Sequence, residues 1–265
     1  MTEQPNGTAY PRAGYVEVAG LQTWREVSGE GEPVALLHGA FAGATSWFAQ
    51  VPALVAAGYQ VHAVERRAHA HTPDVEGPLT YSIMAEDTIA YLEQELSRPA
   101  HLVGWSDGAV VGLLVAQRRP DLVERLVLIG QYYNSTGKVA GSMLAQLLAS
   151  DSEAMQFLRG EYDAVSPDGA EHFPVVYAKT MQMISTEPEI DLETLTRIQS
   201  PCLVLQGDQD EVTVAHSMAV VGALPDGRLA VLPGTHALPV ESPEPVNSLL
   251  ISFLRGGPQP ARWGA

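Results

Sequence analysis

At 265 residues with 46% apolar side chains, and with no internal repeat, low-complexity tract or Gly/Ser linker, the chain has enough material for one large domain around a sizeable core. Its 31 acidic against 15 basic side chains, a formal charge of -16, argue against nucleic acid or an anionic membrane surface as partner and fit an acidic solvated shell. A single cysteine excludes an internal disulfide and favours a reducing compartment, while the polar stretch Met1 to Gly14 has no apolar core of the kind a secretory signal needs and no run approaches membrane-spanning length. The expected location is therefore cytoplasmic, and Cys202, inside the apolar run Cys202-Leu203-Val204-Leu205, reads as a buried structural thiol.

In chain order, Tyr15 to Val18 and Leu21 to Val27 alternate in polarity around Ala19-Gly20, which predicts a β-hairpin at a sheet edge. Val34 to Leu37 is a continuous apolar run, the pattern of a strand buried on both faces, and it ends in His38-Gly39-Ala40-Phe41. Ser46 is placed to cap a helix running to about Ala57, Gly58 breaks it, and Gln60 to Val64 returns as a strand. Glu65 to Pro73 reads as a loop, and Tyr81 to Leu96 has helical periodicity with Pro99 beyond its end. An apolar run from His101 to Gly104 meets Trp105-Ser106-Asp107-Gly108, a helix follows over Val110 to Gln117, and Leu122 to Ile129 is another buried strand. From about Gln131 to Ile198 the pattern changes to short helical stretches, such as Ser142 to Leu148 and Ser152 to Leu158, separated by Gly, Pro and Asp. Strand and helix alternation then resumes with Pro201 to Gln206, Val214 to Leu224, Arg228 to Leu232 and a last helix from Pro243, capped by Ser242, to Leu254. Strands alternating with helices imply a parallel sheet wrapped on both faces.

The chemistry concentrates at Gly104-Trp105-Ser106-Asp107-Gly108, a Gly-x-Ser-x-Gly pattern lying between a strand and a helix, which is the context of a nucleophile elbow. A serine hydroxyl is a weak nucleophile at neutral pH, so it needs a base within hydrogen-bond reach, and the base needs a carboxylate to fix its tautomer. Of the eight histidines, His236 is the best base, because it follows the last strand on the sheet edge that also carries Ser106. His216 falls on a helix and His101 opens a strand, where surface or core roles suit them better. Asp208, Asp210 and Glu211 all follow the strand ending at Gln206 and compete for the acid position, whereas Gln131-Tyr132-Tyr133-Asn134, after the preceding strand, contains no carboxylate.

Taken in order, His38-Gly39, the elbow, Gly207-Asp208-Gln209-Asp210 and Gly234-Thr235-His236 resemble the α/β-hydrolase family, and the resemblance covers nearly the whole chain from Tyr15 to Leu254. It implies a mostly parallel eight-stranded sheet with helices on both faces, a core of residues 1–130 and 199–265, and an inserted helical cap over 131–198. It assigns the acid to the second aspartate, Asp210, leaves Asp208 to hydrogen-bond the turn, and gives the oxyanion donors as the backbone amides of Ala40 and Asp107. His38 is then expected to support loop geometry without transferring protons. The implied activity is cofactor-independent hydrolysis of a small to medium carboxylic ester or lactone through an acyl-enzyme on Ser106, with a small molecule as partner and a homodimer left open. Carbon–carbon bond hydrolysis, perhydrolysis and a slow-turnover receptor or pathway protein of the same fold are the alternatives.

Expected substrate contacts are Phe41, Trp105, Asp107 and Tyr132, with aromatic and methionine side chains of the cap suggesting an apolar group of medium size. Two features depart from the family pattern. The loop usually resembling Asp-x-Arg-Gly-His-Gly-x-Ser here reads Glu65-Arg66-Arg67-Ala68-His69-Ala70-His71-Thr72, and alanine takes positive φ less cheaply than glycine, so a remodelled loop is expected. His69 and His71 near Asp74 lack a complete ligand set, and no metal is expected there. The second feature is Asp107, a carboxylate beside the oxyanion position, which a substrate cation, a neighbouring positive group or solvent must offset. The elbow resembles that of the valacyclovir-hydrolase branch, whose aspartate holds the amino group of amino-acid esters. An Asp107 that instead hydrogen-bonds the loop near Ala40 or the cap is the equally weighted alternative.

Overall fold

Both residues of the Ala19-Gly20 turn adopt left-handed backbone, φ 50° and 83°, and fold β1 (Arg12–Val18) onto β2 (Leu21–Ser28) as an antiparallel hairpin in which Val18 pairs with Leu21. In this computed structural model residues 12–137 and 149–257 are described. The hairpin extends an eight-stranded sheet completed by β3 (Glu32–Leu37), β4 (Tyr59–Val64), β5 (Ala100–Trp105), β6 (Val123–Ile129), β7 (Cys202–Gly207) and β8 (Gly227–Leu232). The order is β1-β2-β4-β3-β5-β6-β7-β8, with β2 antiparallel to both its neighbours and every other pairing parallel. This order puts β5, which delivers Ser106, between β3 and β6, and brings the carboxyl ends of β3, β5, β7 and β8 to one edge.

The apolar strands are covered on both faces, as their continuous hydrophobic runs require. Side chains alternate across the sheet: Leu37, Leu102 and Leu128 belong to one core cluster, while Leu36, Val103 and Ile129 belong to the other. The first cluster is sealed by α2 (Tyr81–Glu95) and α3 (Asp107–Arg118), the second by α1 (Gln50–Ala56) and, after the short helix α7 (Leu238–Glu241), by α8 (Pro243–Leu254). Between β6 and β7 the described residues carry α4 (Glu153–Val165) and α5 (Phe173–Thr186), and α6 (Val214–Ala223) lies between β7 and β8. Among the described residues no helix is long and apolar enough to cross a membrane.

Three sequence expectations change. Ser46 does not cap α1: it sits in a 3-10 turn (Ala44–Trp47), where its hydroxyl donates to the Gly43 carbonyl at 2.7 Å, and α1 starts only at Gln50. Ser242 occupies the N-cap position of α8 without a side-chain cap bond; Pro243 suits the first helical position, and Pro245 removes the N3 amide proton that a cap would accept. Helix α3 begins three residues earlier than its periodicity suggested, directly after Ser106. The helix expected over Ser142 to Leu148 lies outside the described residues.

The segment after β6 is tied down through Asp74, in the loop after β4. Its carboxylate accepts from Lys179 Nζ at 2.7 Å and His172 Nε2 at 2.9 Å. Burial works against the Asp74 charge, but these two donors outweigh it and hold the carboxyl below its ordinary range. A second tether runs from the Tyr81 amide to the Glu187 carboxylate, 3.1 Å.

Candidate active site

Ser106 sits at φ 56°, ψ −119°, a conformation that side chains rarely adopt, and its amide still bonds the Ile129 carbonyl at 2.8 Å as though the strand continued. The strain persists because the turn is sterically locked. A Cβ at Gly104 would lie 2.3 Å from the Gly108 carbonyl oxygen, and one at Gly108 would lie 2.0 Å from that of Leu37. Only glycine fits at either position, and the hydroxyl is held out over the carboxyl edge of the sheet.

His236 reaches it from the loop after β8. Its Nε2 accepts from Ser106 Oγ at 2.9 Å, and its Nδ1 donates to Asp210 Oδ1 at 2.9 Å. Asp210 Oδ1 also accepts the Val212 amide at 3.0 Å, which fixes the carboxylate in the loop after β7. Burial disfavours the imidazolium, yet the bond and charge of Asp210, with the charges of Glu211 and Asp107, outweigh it and raise the His236 pKa above its ordinary value. Asp208 does not touch His236: its Oδ1 accepts the Gly234 amide at 3.0 Å and so ties the two loops together. Gly130 lies against the same ring, since a Cβ there would come within 2.8 Å of His236 Cε1.

The loop His38-Gly39-Ala40-Phe41 approaches from the end of β3, where a Cβ on Gly39 would lie 3.4 Å from that of Ser106. His38 is buried, and burial beside Arg66 pushes its pKa well below the ordinary range. Its neutral ring has a defined tautomer, with Nδ1–H donating to the Gly39 carbonyl at 2.8 Å and Nε2 accepting the Arg66 amide at 3.2 Å. His38 therefore braces the loop. Glu65 braces it from the other side by accepting the Ala44 amide at 3.0 Å and the His71 amide at 2.7 Å, while burial raises its pKa.

In the Glu65–Thr72 loop the steric reluctance of alanine is overridden. Ala68 and Ala70 adopt the left-handed region themselves, φ 62° and 47°, and two tight turns close from the His69 amide to the Arg66 carbonyl and from the Thr72 amide to the His69 carbonyl. The turns demand positive φ at these positions, and the bonds from Glu65 and Thr72 hold the alanines there despite the steric cost. His69, His71 and Asp74 do not converge: His69 is buried against the Arg67 carbonyl, with its pKa pushed down to about 3, His71 stacks on Trp24, and Asp74 holds Lys179 and His172.

Of the expected substrate contacts, Asp107 and Tyr132 come together. Asp107 is 1% exposed, and its Oδ1 lies 2.6 Å from the Tyr81 hydroxyl and 3.0 Å from that of Tyr132. The two hydroxyls are themselves 2.6 Å apart, so three oxygens share two protons. Burial and the Asp107 charge push both tyrosine pKa values well above normal and keep them as donors. The positive charge near Asp107 is Arg66, whose pKa burial lowers to about 10 against the support of Asp107. Phe41 stacks on Tyr177 of α5, 5.7 Å between ring centroids, at the junction with the segment after β6. The Trp105 indole turns under the histidine loop, donating to the His236 carbonyl at 2.8 Å and packing edge-on to Trp47. Local pattern does not single out Arg66 or Tyr81: Arg66 occupies the position that the family loop pattern leaves open, and Tyr81 is the first residue of a helix.

A model of the Alpha/beta hydrolase family matches residues 34–249. A putative carbamate hydrolase, RutD, of Azorhizobium caulinodans is 25% identical over 260 residues, covering 90% of this chain and 97% of that protein. The human serine hydrolase BPHL is 25% identical over 252 residues, covering 91% and 85%. In fold, a meta-cleavage product hydrolase from Pseudomonas fluorescens, CumD, superposes with a TM-score of 0.75 at 21% identity, covering 91% and 97% of the two chains. With the family match spanning most of the chain and this sheet order beneath it, the chain belongs to the alpha/beta hydrolase family and is a hydrolase.

Proposed function

We propose that the protein is a cofactor-independent serine hydrolase that cleaves a small to medium carboxylic ester or lactone. The observation that carries this reading is the continuous chain from Ser106 through His236 to Asp210, with both links at 2.9 Å. Ser106 Oγ attacks the carbonyl carbon as its proton passes to His236 Nε2, and Asp210 stabilises the imidazolium. The negative charge moves to the carbonyl oxygen, which the amides of Ala40 and Asp107 receive. The Asp107 amide is suited to this because it opens α3, where the first amides have no partner within the helix. His236 then returns the proton to the leaving alkoxide, and a water activated by the same nitrogen releases the acyl group. The helical segment after β6 forms the cap, and Phe41 with Tyr177 lines its apolar junction with the core.

The test combines a fluorophosphonate probe with a panel of p-nitrophenyl esters and lactones. Wild-type protein is expected to label once per chain and to turn over at least one ester class. Ser106→Ala is expected to lose both labelling and turnover with an unchanged circular dichroism spectrum. Substantial ester hydrolysis by Ser106→Ala would overturn the mechanism.

A further inference from the structure

We propose that Arg66 is a positioning residue of the oxyanion hole. This rests on the reading of Ser106 as nucleophile and adds a part that its triad does not contain. The Arg66 side chain is 4% exposed and lies under the oxyanion loop, where one terminal nitrogen donates to the His38 carbonyl and the other to the Gly39 carbonyl at 3.3 Å. The Gly39 carbonyl also accepts from His38 Nδ1 at 2.8 Å.

These bonds matter because the Gly39 carbonyl and the Ala40 amide belong to one peptide plane. In a trans peptide the C=O and N–H point in opposite directions, so two donors gripping the Gly39 oxygen fix the aim of the Ala40 N–H. They also polarise that peptide, which strengthens its N–H as a donor. The charge needed for the grip is balanced across the site. Asp107 supports the Arg66 cation, and its own amide is the second oxyanion donor. One cation thereby links both donor peptides, its guanidinium to one and its charge to the other. A lysine cannot reproduce the fork that spans two successive carbonyls.

Arg66→Met and Arg66→Lys are compared with wild type after intact sites are counted by endpoint fluorophosphonate labelling. Two readouts follow: kcat and KM on a p-nitrophenyl ester, and the inhibition constant of phenylboronic acid. Ser106 Oγ adds to the boron, its proton passes to His236, and the boron takes the negative charge with a hydroxyl at the oxyanion position. For Arg66→Met, kcat per labelled site is expected to fall about 10- to 100-fold with KM held within about threefold, since aim is lost and ground-state contact is not. Boronate affinity should fall by a similar factor, and Arg66→Lys should recover part of both. Unchanged kcat and boronate affinity, or a rise in KM alone, would overturn the proposal. Loss of labelling in both variants would also overturn it, by assigning Arg66 to folding. Wild-type protein that neither binds boronate nor turns over ester overturns the reading of Ser106 instead.

Discussion

Asp208 and Asp210 stand two residues apart on one loop, and their environments separate them. Asp210 is held against His236, while Asp208 faces solvent and ties the Gly234 amide. Asp210→Asn is therefore expected to lower kcat by about 10⁴-fold, as loss of the tautomer-fixing carboxylate does elsewhere. Asp208→Asn should cost less than about tenfold and lower the melting temperature; steady-state kinetics and thermal melts on both variants check this. The pH dependence has a definite sign. His236 must be neutral to act as base, and its pKa is raised in the folded state, so kcat/KM should rise with pH through a midpoint above the ordinary value of about 6.5. The same shift stabilises the fold fully below that ordinary value, and the contribution is lost as pH rises through the folded pKa, which is where activity appears. Asp107 carries a third prediction. Its charge already has Arg66 nearby and two phenols on Oδ1, so an α-amino-acid ester and its N-acetylated counterpart should be cleaved at rates within about threefold of each other. A preference of tenfold or more for the free amine, lost in Asp107→Ala, would restore amine recognition.

At the scale of single elements, the loop after β4 stores strain that its sequence advertises. Ala70 is left-handed and half-buried, whereas Ala68, equally left-handed, packs its methyl into the core. Left-handed backbone costs a non-glycine residue about 1–2 kcal/mol, partly offset in a glycine variant by the greater entropy of its unfolded chain. Ala70→Gly should accordingly stabilise the protein by up to about 1 kcal/mol, measured by denaturant unfolding. Destabilisation would mean that the methyl contributes more through packing than it costs through its φ. The elbow shows the opposite arrangement, in which strain at Ser106 cannot be relieved by substitution without removing the proposed nucleophile.

Across the whole molecule, the described part of the segment between β6 and β7 is held to the core by buried apolar side chains, Phe173, Val176 and Met183 among them, and by polar tethers, of which Asp74 takes two donors. Its pKa is depressed in the folded state, so its contribution is complete above the ordinary aspartate value of about 3.9 and is lost as pH falls through the lower folded value. Asp74→Asn keeps the shape and removes the charge. Allowing for partial exposure, a loss of about 1 kcal/mol in docking should make cleavage within residues 150–190 about fivefold faster under limited proteolysis, with cleavage elsewhere unchanged. An unchanged pattern would place the holding energy in the Phe41, Phe173 and Tyr177 contacts.

What the sequence determined by itself was whatever depends on local pattern: continuous apolar runs for the central strands, alternation for the hairpin, glycines either side of Ser106, and the succession of serine, carboxylate and histidine along the chain. These are short-range signals, written into neighbouring residues by periodicity and sterics. The capping roles of Ser46 and Ser242 were less legible, because a hydroxyl near a helix caps it only where a free amide proton lies within reach and no other carbonyl takes the hydroxyl. Tertiary structure alone decided the partners of the polar side chains. Nothing local says that Trp105 bonds the His236 carbonyl, that Asp107 meets Tyr81 and Tyr132, or that Arg66 grips His38 and Gly39. Each of these pairs joins segments from 25 to 131 residues apart, since a buried polar group takes whatever donor or acceptor the packed sheet edge brings within reach.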